Sequence, residues 1–313
     1  RKAIQIKPDF ANAYFNLGNI LSDLGNLKEA ELSYRKAIKI KPDFANAYLH
    51  LGIILSDFGD FPDAINHYKQ ALKLNNQLSM AKAALIQTKG KICDWSDEET
   101  HNIWLKSIGI KGKSISPWGL ISSEDNPLNH LKRSRNFYKE RYNRPSKYIE
   151  SSKKNKIHIG YFSADFRTHP VMQLIAPILD LHDKSRFKIY LYSFVPKEDE
   201  YTERAKNSGC IFRNIIKLND IEVVELARDD KLDIAVDLMG YTQHNRMSIF
   251  SYRVAPIQIN YMGFMGSVGS DTMDYIIADK VIIPKENEKF YSEKIIRMPN
   301  CFLCNDNKKE ISE

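Results

Sequence analysis

The sequence is poor in cysteine, and what it has does not form a framework. Cys93, Cys210, Cys301 and Cys304 are too few and too scattered for a disulfide scaffold. Cys301 and Cys304 have metal-like spacing, but no second pair or nearby histidine completes a zinc site, so no metal is expected. No run of about 18 apolar residues exists, which excludes a transmembrane helix, and no signal peptide is visible. Neither a phosphate-binding Walker loop nor a dinucleotide fingerprint is present. Excess charge is modest, at +7 over 313 residues, and the 43% hydrophobic and 27% charged fractions are globular values. Much of the basic excess falls in 132–147 and 153–156, among Ser and Pro and without a readable nucleic-acid motif. Those stretches are expected as solvated linker, with no nucleic-acid or membrane partner. Sparse cysteine suits a reducing compartment, and a cytoplasmic location is expected.

What the chain does have is a repeat. Arg1-Lys-Ala-Ile-Gln-Ile-Lys-Pro-Asp-Phe-Ala-Asn-Ala-Tyr14 returns 34 residues later, almost unchanged, from Arg35 to Tyr48. That period is the tetratricopeptide one, a helix–turn–helix stacked on copies of itself. Tyr14, Leu17, Gly18 and Leu21 mark the first helix, and Tyr48, Leu51, Gly52 and Leu55 repeat them. Ala30, Tyr34 and Ala37 mark the second helix, as do Ala64, Tyr68 and Ala71. Glycine inside a helix costs about 1 kcal/mol against alanine, so Gly18 and Gly52 imply close approach of the paired helix. The third copy decays: Asn76 replaces the proline, Lys82 the aromatic residue and Ile86 the glycine. Arg1 to Lys7 reads as the tail of a helix, and the chain is expected to be a fragment of a longer array. Such a stack either has a structural role alone or offers a groove for a peptide. Asn16, one residue before the Leu-Gly pair, carries an amide able to bond a peptide backbone. The matching position in the next copy is His50.

After Lys156 the pattern changes to strands alternating with helices, which predicts a parallel, doubly wound sheet. Strands are expected at 157–162, 187–194, 233–238, 257–261 and, closing the series, 274–279. Helices are expected after Pro170 and at 221–228 and 245–252, with two more near 96–108 and 127–142. The resulting division is repeats over 1–90, a helical and irregular linker over 91–155, and a Rossmann-like domain over 156–313. Ligands of such sheets bind beyond the carboxyl ends of the strands. The loops 163–169, 239–244 and 263–270 should therefore open on one edge.

His169 precedes Pro170, a residue suited to the first helical position. It therefore sits at the helix cap, where the partial positive field favours the neutral imidazole. A neutral imidazole can accept a proton or orient a hydroxyl, and equally it can simply cap the helix. His244 is a weaker candidate, while His158 and His182 read as packing or surface residues. Gly263, Gly266 and Gly269 either permit close approach of a phosphate or peptide or merely make tight turns.

Together, the repeats and several ordered stretches resemble the O-linked N-acetylglucosamine transferase family, including its SPINDLY branch. The stretches are Gly160-Tyr-Phe-Ser-Ala-Asp-Phe-Arg-Thr-His-Pro170, Asp237-Leu-Met-Gly-Tyr-Thr242 and Arg253-Val-Ala-Pro-Ile-Gln258. Gly263-Phe-Met-Gly-Ser-Val-Gly269, Met273-Asp-Tyr-Ile-Ile-Ala-Asp279 and Tyr291-Ser-Glu-Lys294 continue the series. The resemblance implies an α-solenoid followed by the first α/β lobe of a two-lobed GT-B glycosyltransferase. It implies inverting, metal-independent transfer of N-acetylglucosamine from UDP-N-acetylglucosamine to Ser or Thr hydroxyls of proteins held by the repeats. No cofactor beyond the nucleotide sugar is implied.

The family's active-site histidine falls on His169. Asp165, Asp237, Gly240, Tyr241, Thr242, Gly263, Gly266 and Gly269 fall on substrate-binding loops, and Asn16 on the family's asparagine ladder, which His50 interrupts. Met265 departs from the usual proline. The ending Met298-Pro-Asn-Cys-Phe-Leu-Cys304 is closer to SPINDLY, which uses GDP-fucose. A fucosyltransferase, a glucosyltransferase acting on Asn, and a non-catalytic tetratricopeptide adaptor are the alternative readings. The family's second lobe, which holds most of the nucleotide sugar, would follow Glu313, so these residues alone are expected to be inactive.

Overall fold

The computed structural model describes residues 2–142, 144, 149–150 and 153–306, which fall into two compact units. The first unit runs to residue 115 and includes 119–125; the second holds 116–118 and the residues from 126 onward. The stretch 91–155, expected as a linker, is thus divided between the two.

The first unit is a stack of helices: α1 (Lys2–Ile6), α2 (Ala11–Asp23), α3 (Leu27–Ile40), α4 (Ala45–Asp57), α5 (Phe61–Leu74), α6 (Ser79–Lys91) and α7 (Glu98–Leu105). The repeat marks form its core. Ala30, Tyr34, Ala37, Ala64, Tyr68 and Ala71 are all buried. The glycines are explained by those tyrosines. A Cβ on Gly18 would lie 2.6 Å from the Tyr34 ring, and one on Gly52 would lie 2.6 Å from the Tyr68 ring. In the decayed copy, Ile86 is buried beside Leu105 and Ile108 instead.

The second unit opens with α8 (Pro127–Tyr142). Basic residues there were expected on a solvated linker, but the helix buries Leu131, Arg133, Ser134, Phe137 and Tyr138. The reason is their three- and four-residue spacing, which puts them on one face. Residues 143 and 145–147 of the same run lie outside the described residues.

Then follow β1 (Ile157–Ser163), α9 (Pro170–Leu181), β2 (Phe187–Ser193), α10 (Glu200–Lys206), β3 (Ile211–Asn214) and α11 (Asp220–Asp229). The unit continues with β4 (Ile234–Asp237), α12 (Met247–Ser251), β5 (Ile257–Asn260), β6 (Tyr275–Ala278) and β7 (Lys294–Arg297). The sheet is parallel throughout, in the order β3-β2-β1-β4-β5-β6-β7. The series does not close at residue 279 as expected, because β7 pairs with β6 from Tyr275↔Lys294 to Ala278↔Arg297. Its Lys and Arg ends masked a short edge strand. β3 and α10 were likewise not anticipated. The chain reverses direction across the sheet between β1 and β4, and their carboxyl ends pair at Phe162↔Asp237. A topological switch point of this kind is where open α/β sheets bind ligands.

Candidate active site

β1 delivers the first loop to the switch point. Asp165 N–H donates to Ser163 Oγ at 2.9 Å, and Thr168 N–H donates to Asp199 Oδ2 at 2.7 Å, so the turn is held at both ends. His169 is the N-cap of α9, in extended backbone, with Pro170 at the first helical position. Its Nδ1 accepts from Val171 N–H at 3.3 Å. Asp165 Oδ2 lies 3.5 Å from that same nitrogen, and Asp165 Oδ1 lies 3.7 Å from the Arg167 guanidinium. Burial raises the Asp165 carboxyl above the usual carboxylate range, while His169, Arg167 and His244 pull the other way, and burial prevails.

The second loop turns on Asp237. Its carboxylate, 2% exposed, accepts from Met239 N–H at 2.9 Å and Gly240 N–H at 3.0 Å. Desolvation pushes its pKa up to about 7 against those two bonds. Gly240 has φ +57°, and a Cβ there would strike the Phe264 side chain. Tyr241 is buried and donates its hydroxyl proton to the Val268 carbonyl at 2.6 Å.

A cleft of about 400 Å³ opens at this edge. The first loop contributes Asp165, Arg167 and His169, the second Thr242 and His244, and the third Gly263. The three loops converge as expected. Asp165, His169, Thr242 and Gly263 meet there, whereas Asp237, Gly240 and Tyr241 are not among the lining residues and hold the turn instead. Gly266 and Gly269 do not line it either. Gly269, at φ +67°, lies where a Cβ would come within 2.5 Å of the Arg135 backbone nitrogen, so glycine there admits α8.

Arg167 was not singled out from the sequence, although it lies inside the Asp-Phe-Arg-Thr-His run. Its position two residues before a capping histidine was the available signal. His158 and His182 have packing roles: His158 Nδ1 lies 2.8 Å from the Asp230 carbonyl, and His182 Nε2 lies 3.0 Å from the Tyr161 hydroxyl.

The first unit has its own cavity, about 290 Å³, lined by Phe15, Asn19, Asn46, His50 and Gln77 among others. Asn16 is exposed on α2 and is not part of the lining. The His50 ring packs edge-on against Phe15 at 5.2 Å, and burial lowers its pKa, favouring a neutral imidazole. Among the described residues no group of three His, Cys, Asp or Glu is placed to hold a metal ion, and no helix is long and apolar enough to cross a membrane.

Comparison with known proteins assigns the two halves separately. Tetratricopeptide repeat models match residues 11–44 and 44–79. An Arabidopsis thaliana protein named probable UDP-N-acetylglucosamine–peptide N-acetylglucosaminyltransferase SPINDLY is 35% identical over 152 residues, 47% of this chain and 17% of its own length. Its Oryza sativa counterpart is 37% identical over 150 residues, 47% of this chain and 16% of its own length. The Arabidopsis SEC protein, with the same enzyme name, is 30% identical over 156 residues, 50% of this chain and 16% of its own length. The matched region therefore spans only 16–17% of these curated relatives. A solved mutant O-GlcNAc transferase of Thermobaculum terrenum has the same fold, with a TM-score of 0.62 at 24% identity over 96% of this chain and 53% of that one. The model for glycosyl transferase family 41 matches residues 126–312, more than half of the chain, and the chain belongs to that family.

Proposed function

We propose that the intact protein is a protein O-glycosyltransferase. It moves N-acetylglucosamine from UDP-N-acetylglucosamine to Ser or Thr hydroxyls of proteins presented by the repeats. The observation that carries this reading is His169, capping α9 inside the cleft at the sheet's switch point, in a chain of glycosyl transferase family 41. The relatives' names supply the donor and the acceptor class.

The acceptor oxygen attacks the anomeric carbon as the bond to the diphosphate breaks. The electron pair leaves with the diphosphate, and the hydroxyl proton must go elsewhere. With Nδ1 accepting from Val171 N–H, the neutral His169 ring carries its proton on Nε2 and orients an oxygen by donating to it. In the other tautomer, Nδ1–H turns to Asp165 Oδ2, 3.5 Å away, and Nε2 becomes the acceptor of the hydroxyl proton. Burial raises the proton affinity of Asp165, which makes it a second resting place for that proton. The chemistry asks for no metal and no cofactor beyond the nucleotide sugar, and a cytoplasmic site of action belongs to the same reading.

The test is to incubate the intact protein with a Ser/Thr peptide and radiolabelled UDP-N-acetylglucosamine or GDP-fucose. Transfer of N-acetylglucosamine is expected, and His169→Ala should lower turnover at least about tenfold. Transfer of fucose alone would reassign the donor. Absence of transfer from either donor would leave a tetratricopeptide adaptor.

A further inference from the structure

The Tyr291-Ser-Glu-Lys294 run has no part in the reaction described above, yet its side chains hold the third loop of the cleft. Tyr291 donates its hydroxyl proton to the Met265 carbonyl at 2.9 Å. Glu293, 4% exposed, accepts from Val268 N–H at 2.7 Å through Oε1 and from Ser267 Oγ at 2.7 Å through Oε2. On the other side of the same residue, the Val268 carbonyl accepts from the Tyr241 hydroxyl at 2.6 Å. Val268, itself fully buried, is therefore gripped by both its backbone groups. One grip comes from the loop after β4 and the other from the segment entering β7.

We infer that Glu293 is a positioning residue, which fixes the glycine-rich loop 263–270 so that Gly263 forms a wall of the cleft facing His169. The requirement is for a carboxylate, and Ser267 shows why. Its oxygen already accepts from Gly269 N–H at 3.1 Å and Ser292 N–H at 3.1 Å. Both lone pairs are used, so its proton must be received by another group. Two oxygens are in reach, Glu293 Oε2 at 2.7 Å and Ser292 Oγ at 2.9 Å, and the nearer, the carboxylate, is the receiver. An amide in that place would set an N–H₂ donor against a hydroxyl with no acceptor capacity left. Glu293→Gln, usually a mild change, should therefore break the Ser267 contact even if its remaining oxygen keeps Val268 N–H. Ser292 reaches the cluster through its backbone N–H to Ser267 Oγ at 3.1 Å and through its hydroxyl, which lies 2.9 Å from Ser267 Oγ and donates to Glu293 Oε2 at 3.1 Å. Ser292→Ala removes the hydroxyl contacts but keeps both direct bonds between Glu293 and the loop, so its effect should be smaller than that of Glu293→Gln.

Two measurements test this. The first does not depend on the protein being a transferase: amide hydrogen exchange of the 313-residue protein, read over 263–270 and over β1 and β4. Loss of a hydrogen bond to a charged group corresponds to about tenfold or more in local opening. Glu293→Gln and Glu293→Ala should speed exchange at 263–270 by that factor and leave β1 and β4 unchanged, while Ser292→Ala, which keeps both bonds from Glu293 to the loop, speeds it less than Glu293→Gln. Unchanged exchange in the loop, or an equal rise in β1 and β4, overturns the inference.

The second measurement rests on the proposed transferase activity of the intact protein. Glu293→Gln should lower kcat about tenfold with the donor KM unchanged. A loosened loop with unaltered kcat overturns the positioning role. If the wild type transfers nothing while the exchange result holds, the functional reading fails and the clamp stands.

Discussion

Gly52→Ala offers a sharp test of the packing logic in the repeats. Helix propensity alone favours the change by about 1 kcal/mol. The structure reverses the sign. A Cβ on Gly52 would stand 2.6 and 2.8 Å from two atoms of the Tyr68 ring and 3.1 Å from the Ala64 carbonyl oxygen. Comfortable carbon contacts lie at about 3.5–4.0 Å, so the ring must retreat by about 1 Å. Tyr68 is 1% exposed and lies in the core with Leu51, Leu55 and Ala64, so it has nowhere to go. Overpacking of this kind costs about 1–3 kcal/mol. The net expectation is a loss of up to about 2 kcal/mol once the propensity gain is subtracted.

Gly90 is the control. It lies in α6, and a Cβ there would meet only a Trp95 ring atom at 3.9 Å, so Gly90→Ala should gain up to about 1 kcal/mol. With two compact units the unfolding need not be two-state, and local amide exchange is the suitable assay. Exchange in α4 and α5 should accelerate about tenfold in Gly52→Ala, and exchange in α6 should slow or stay level in Gly90→Ala. Slower exchange in Gly52→Ala would refute the steric account and return the glycine to a mere helix cost.

Asp237 binds a proton more tightly folded than unfolded, since burial lifts its pKa to about 7 from an unfolded value near about 3.9. Its contribution to stability is therefore complete below pH of about 4 and is lost as pH rises toward about 7; Asp237→Asn should flatten the denaturation profile across that window, and an unaltered slope would contradict the assignment. Gly263→Ala places a Cβ against the Leu238 carbonyl, a backbone atom that cannot swing aside, so it should cost more than Gly52→Ala, about 3 kcal/mol, in urea unfolding of the second unit. Stability equal to wild type there would mean the cleft wall has slack.

Local periodicity made the architecture legible. A 34-residue repeat with tyrosine, glycine and alanine at fixed places can bury its apolar faces only by stacking. Alternating strands and helices after residue 156 can form only a parallel sheet with its loops on one edge. From that came the cap at His169 and the convergence of three loops, because backbone chemistry at Pro170 and at the strand ends is local. What the sequence hid depends on distant partners. β7, with Lys294 and Arg297 at its ends, is a strand because β6 offers it an edge. The basic α8 packs because Gly269, far along the chain, leaves room for its backbone. Glycines that look alike in sequence part company for the same reason: Gly263 borders the cleft, while Gly269 serves a helix. Asp237 and Glu293 are two acidic residues until burial raises the proton affinity of both and makes one a turn-holder and the other a clamp on Val268. A side chain's type is written in the chain, but the dielectric around it and the donors it meets exist only after folding.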